Sequence, residues 1–212
     1  MPQELAHALV AALPPEVFQA WVRRVGEREM EYAYGATLGF RQSPFSSDTS
    51  STEWVCYASN ALTRGYLGLF RLSNGVAQVV AHSDTLEGVV TPIVRFLSGA
   101  KFGIGETVIS VAGFKGNGMY LCEEILGWDG KRLELLTPSF YPFSARRSLL
   151  NGENVQYEDV DADSVWELVV YPGSREVREG TKSASVPDAV FKFSAKSHRF
   201  EQIALPPGWK KK

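Results

Sequence analysis

Four carboxylates are spaced as a cation-binding loop would space them in Asp159-Val160-Asp161-Ala162-Asp163-Ser164-Val165-Trp166-Glu167-Leu168. They hold loop positions 1, 3, 5 and 9, and an apolar run through Tyr171 follows at once. Alternate residues of a tight loop can turn their oxygens toward one centre, as a hard cation such as Ca²⁺ requires. The same carboxylates could instead cap backbone amides and tighten the turn.

Nothing else in the chain has catalytic spacing. The histidines are His7, His82 and His198, and none forms a His-x-His or His-Glu-x-x-His pair, which argues against a zinc enzyme. His82-Ser83-Asp84 sets triad residue types in a row, but neighbours on a strand point to opposite faces. Gly103-Ile104-Gly105 has no following helix to hold a phosphate and reads as a turn. Glu123-Glu124 and Glu158-Asp159 are adjacent pairs that a strand would also face apart. A hydrolase or lyase with carboxylates gathered at strand ends remains the enzymatic alternative.

One stretch has the composition of a binding surface. Thr137 to Arg147 carries Phe140, Tyr141 and Phe143 beside Arg146 and Arg147, the residue types enriched at interface hot spots. Two prolines, Pro138 and Pro142, keep it out of a central strand. The aromatics could equally tuck into the core.

The elements that must position these residues are mostly strands. Three stretches repeat one layout of strand, turn and hairpin. The first runs Glu53 to Ala58, Gly65 to Leu72, a turn at Ser73-Asn74-Gly75, and Val76 to Val80. The second runs Thr107 to Ala112, Gly118 to Leu126, a turn at Trp128-Asp129-Gly130, and Arg132 to Leu136. The third runs Trp166 to Tyr171, Pro187 to Phe193, a turn at Ala195 to Ser197, and Arg199 to Ile203. Asn-Gly and Asp-Gly suit a two-residue type I′ turn, which needs positive φ at both positions. A further strand is expected before each unit, at Met30 to Tyr34, Ile93 to Phe96 and Val155 to Tyr157. The units are expected over 30–85, 92–137 and 153–205 of a β-repeat domain at 29–205, with 206–212 as a tail. Their period of about 50–60 residues is that of blade-like β arrays. Residues 1–28 differ: Leu5, Ala8, Leu9 and Ala12, then Val17, Phe18, Trp21, Val22 and Val25, follow helical spacing around Pro14-Pro15. They predict two short helices that cover the main domain or offer a homodimer face.

Composition narrows the function classes. The net charge of −2 and the lack of a basic stripe argue against nucleic acid as a partner. No apolar run approaches the roughly 20 residues of a membrane span. The start lacks the basic segment of a signal peptide, so a soluble, cytoplasmic protein is expected. Cys56 and Cys122 have no metal or redox spacing and read as reduced, buried thiols, with a disulfide as the alternative.

The acidic loop and its surroundings resemble the FG-GAP and VCBS-type repeats of integrin-like β-propellers. The matching residues are Asp159, Asp161, Asp163, Glu167 and Leu168 with Val169-Val170, and Gly116-Asn117-Gly118 before Trp128-Asp129-Gly130-Lys131. The likeness spans roughly residues 105–205. It implies a Ca²⁺ site with Asp159, Asp161 and Asp163 as monodentate ligands, the Val165 carbonyl at position 7, and Glu167 closing the site directly or through water. Two departures stand out. Ser164 replaces the glycine of the sharp turn, and only one of the three units carries the acidic loop. The expectation is therefore a mostly β repeat protein, possible cofactor Ca²⁺ or none. Its expected role is to bind another protein, such as a toxin it neutralises, with a Ca²⁺-stabilised structural module as the alternative.

Overall fold

The computed structural model describes residues 37–46, 51–59, 65–74, 76–83, 86, 90–115, 120–137, 155–171, 186–207 and 209. Short apolar segments alternate there with turn residues, and they form three antiparallel sheets of four consecutive strands each. Sheet 1 holds β1 (Thr37–Gln42), β2 (Thr52–Ser59), β3 (Gly65–Ser73) and β4 (Val76–His82). Sheet 2 holds β5 (Val90–Ser98), β6 (Thr107–Lys115), β7 (Tyr120–Trp128) and β8 (Leu133–Leu135). Sheet 3 holds β9 (Val155–Glu158), β10 (Glu167–Val170), β11 (Ala189–Ser194) and β12 (Arg199–Ile203). Every sheet is a meander, so each strand pairs with its neighbour in sequence.

Period-two alternation explains how the sheets stack. Ile109, Val111, Leu126 and Trp128 leave one face of sheet 2 and pack with Val55, Tyr57, Leu67 and Leu69 of sheet 1. Val108 and Ile125 leave the opposite face and pack with Leu168, Val170, Phe191 and Phe200 of sheet 3. Sheet 2 is thus the middle layer, buried on both sides, and its strands read as nearly continuous apolar runs for that reason. A third cluster, Val160, Val169, Tyr171 and Val190, covers the far face of sheet 3 with Ile203, Leu205 and Trp209 against it.

The loops joining first and second strands lie at one common end of the stack. Phe45, from the β1–β2 loop, packs edge-on against Trp128 at the matching end of sheet 2, 6.0 Å between centroids. Trp166, from the β9–β10 loop, donates its amide to the Lys101 carbonyl in the β5–β6 loop at 2.6 Å.

Several expectations change here. Among the described residues there is no α-helix, and the one helical element is the 3-10 turn Gly99–Phe102. The helical pair expected at 1–28 is corrected accordingly: the described fold is strands and this turn alone. Those positions lie outside the described residues. The cores between sheets have both walls supplied by sheets, so neither requires a covering helix. The homodimer face expected on those helices lies outside the described residues as well. The strand that pairs with β2 is Thr37–Gln42, whereas 30–34 lies outside the described residues. The β7–β8 connection is four residues, Asp129 to Arg132, because the Asp129 carboxylate accepts the Lys131 and Arg132 amides, both at 2.7 Å, and widens the turn. Cys56 is a free, buried thiol whose burial pushes its pKa up. No helix among the described residues is long and apolar enough to cross a membrane.

Leu126 is fully enclosed between sheets 1 and 2. Leu126→Ala is expected to lower the unfolding free energy by about 2–5 kcal/mol in urea titrations. A loss under about 1 kcal/mol would mean that sheet 1 does not close over sheet 2 as described.

Candidate metal centre

A glutamate at or next to the start of each second strand turns its carboxylate into the fold. Glu53 begins Glu53-Trp54-Val55, Glu106 begins Glu106-Thr107-Val108, and Glu167 begins Glu167-Leu168-Val169. Glu53 Oε2 accepts the amides of Phe45 and Ser46 at 2.6 and 2.8 Å, and Oε1 accepts the Ser46 hydroxyl and Arg71 Nε, the latter at 3.2 Å. Arg71 is its cross-strand partner on β3. Burial alone would push this carboxyl up. The Ser46 hydroxyl, the two amides and Arg71 outweigh burial and hold it below its ordinary range.

Glu167 repeats the pattern in sheet 3. Its side chain is fully buried, Oε2 accepts the Val160 amide at 2.9 Å, and Oε1 lies 3.0 Å from Lys192 Nζ. Lys192 stands on β11, one step past the Leu168–Phe191 pair, where Arg71 stands in sheet 1. Here burial wins and pushes the Glu167 carboxyl up, against the Val160 amide and Lys192. In sheet 2 the partner comes from outside: His198 Nε2, on the β11–β12 turn, lies 3.0 Å from Glu106 Oε1. Gly127 makes room for that carboxylate, since a Cβ there would sit 2.3 Å from Glu106 Oε1.

The acidic loop fills the β9–β10 connection. Asp159 accepts the Asp163 and Ser164 amides, both at 3.1 Å, and Asp163 Oδ1 accepts the Val165 amide at 2.8 Å. Ser164 has φ 70° and Ala162 φ 63°, so the position expected to want glycine is left-handed with a side chain present. Ligand oxygens of Asp159, Asp161 and Glu167 lie within 4.8 Å of one another. The Lys192 ammonium already stands among them, 2.7 Å from Asp161 Oδ2 and 2.6 Å from Asp163 Oδ2, besides Glu167. A resident Ca²⁺ does not fit this arrangement. It would need six to eight oxygens at about 2.3–2.6 Å, and the oxygens best placed to supply them already accept from an ammonium. The Val165 amide donates to Asp163 Oδ1 within the loop.

Other residues singled out in the sequence take structural places. Ser83 accepts the Leu67 amide on its hydroxyl at 3.0 Å, within the sheet 1 edge. Glu123 is buried between sheets 2 and 3, where the Ser110 and Tyr157 hydroxyls both donate to its Oε1. Glu158 accepts the Tyr171 hydroxyl at 2.8 Å. Phe140, Tyr141, Phe143, Arg146 and Arg147 lie outside the described residues. Sequence reading missed Glu53, Glu106, Arg71 and Lys192. Its available signal was the recurrence of glutamate before an apolar strand in all three units. No protein-family model matches the chain, and no curated protein is significantly similar to it.

Because folding lowers the Glu53 pKa, its stabilisation is present above the ordinary value of 4.5 and is lost as pH falls through the lower folded value. Glu53→Gln is expected to cost about 1–3 kcal/mol at neutral pH. The variant should also lose less stability than the parent between pH 5 and 3 in thermal melts, about two units spanning that titration. Equal acid slopes in both would count against the buried pairing. Separately, Ser164→Gly removes a side chain from a left-handed position and is expected to stabilise by about 1 kcal/mol by the same measurement.

Proposed function

We propose that this chain is a non-enzymatic β-repeat scaffold that binds another protein through connections away from the acid-locked end of its sheets. The carrying observation is that the β1–β2 and β9–β10 loops are bolted down by a buried carboxylate, amides and a cross-strand cation. Rigid loops at one end make a frame, and a fixed frame lowers the ordering cost of binding at the other. The connection from β8 to β9 re-enters the fold at Val155, the end of β9 opposite the acidic loop. That connection carries Phe140, Tyr141, Phe143, Arg146 and Arg147, and these are the proposed contact residues. The three meander sheets support a further reading as blades of an FG-GAP/VCBS-like propeller array. A toxin-neutralising role is one form of the binding function and rests on that analogy.

The hydrolase or lyase alternative draws less support. Its strand-end carboxylates, Glu53 and Glu167, are engaged by amides and cations of the fold itself, and Glu123, inside β7, accepts two hydroxyls.

Immobilised parent protein should retain one stoichiometric partner from its native lysate. The double variant Phe140→Ala/Arg146→Ala should bind that partner at least tenfold more weakly, with an unchanged melting temperature. Retention of nothing by the parent, or equal retention by both, would sink the proposal.

A further inference from the structure

We infer that Lys192 is the resident cation of the 159–167 loop, so that the loop holds its shape without metal and becomes a divalent-cation site only when that ammonium is removed. The loop and the head of β10 concentrate Asp159, Asp161, Asp163 and Glu167, four formal negative charges, around one point. Such a cluster needs a counter-charge. Lys192 supplies it at 2.7, 2.6 and 3.0 Å from Asp161, Asp163 and Glu167, near hydrogen-bond contact with all three.

The register makes this placement structural rather than incidental. Sheet 1 has Arg71 opposite Glu53, and sheet 3 has Lys192 opposite Glu167. A basic residue thus holds this position of the third strand in sheets 1 and 3, each time opposite the buried glutamate of the second strand. In sheet 3 the same position also neutralises the loop. An ammonium offers three donors and is compact, so it can serve three carboxylates from one point. A Ca²⁺ ion at that point would stand within about 3 Å of a like charge and would have to expel Lys192 from a partly buried position.

The test compares the full-length parent with Lys192→Met and Lys192→Gln, titrating CaCl₂ by calorimetry and melting each protein in chelator and in millimolar Ca²⁺. The parent should give no binding heat, and its melting temperature should be the same in both solutions. Both variants should bind Ca²⁺. Their melting temperatures should rise by about 5–10 °C at a hundredfold excess over Kd. Adding Asp161→Asn to Lys192→Met should weaken that binding tenfold or more. Were the variants unfolded in chelator, Ca²⁺ should restore their β-sheet circular dichroism. Ca²⁺ binding or chelator-induced melting of the parent would overturn the inference. So would variants that ignore Ca²⁺ when folded or stay unfolded in its presence.

Discussion

Burying a carboxylate at the head of a strand is costly, and the way this chain meets that cost organises much of the rest. An unpaired buried charge would neutralise itself or destabilise the fold by several kcal/mol. Glu53 avoids this with two loop amides, a hydroxyl and Arg71. Glu167 uses one amide and Lys192. Each solution needs the preceding loop to fold back onto the strand that follows it. The loop's conformation and the carboxylate's charge state are therefore one problem, solved together. Apolar anchors complete the fixation, Phe45 in sheet 1 and Val160 in sheet 3, each buried directly beside the amides that the carboxylates accept.

The differences among the three sheets follow from what each head glutamate faces. In sheet 2 the cross-strand neighbour of Glu106 is Asp129, one step past the Thr107–Trp128 pair, so no cation is available within the sheet. His198 reaches over from sheet 3 instead, and Asp129 and Glu134 add repulsion to burial in raising the Glu106 carboxyl. That contact ties sheets 2 and 3 at the same end where Trp166 bonds Lys101 and the Lys101 ammonium lies 5.0 Å from the Trp166 ring centroid. Deeper between the same sheets, the Ser110 and Tyr157 hydroxyls close over Glu123, with Tyr157 stacked on Trp166. Sheets 1 and 2 meet mainly through apolar surface, with Phe45 on Trp128 at its rim. The middle sheet therefore has one mainly apolar face and one that carries a satisfied polar network.

Legibility in the sequence followed the range of the interaction. The strands of sheet 3 showed through because Glu167–Val170, Ala189–Ser194 and Arg199–Ile203 are short apolar runs bounded by turn residues. The left-handed position at Ser164 was also foreseeable, since a loop that reverses so tightly needs positive φ there whatever residue is present. The β7–β8 turn was misjudged by length, because Asp129 caps two amides where a two-residue turn would have used its backbone alone. The acidic loop was recognised as a cluster, yet its counter-ion could not be. Lys192 lies 29 residues beyond Asp163, and only strand pairing brings the two together.

The sequence by itself determined the β character, the three repeating units and the crowding of carboxylates between Asp159 and Glu167, because alternation, turn chemistry and local charge are written in neighbouring residues. Tertiary structure alone decided which sheet lies in the middle, that the glutamates at or next to the start of β2, β6 and β10 turn inward, and that the Lys192 ammonium meets the carboxylates of the acidic loop. Those outcomes depend on cross-strand register and on face-to-face packing, which join residues far apart in the chain and set the burial that gives each charge its cost.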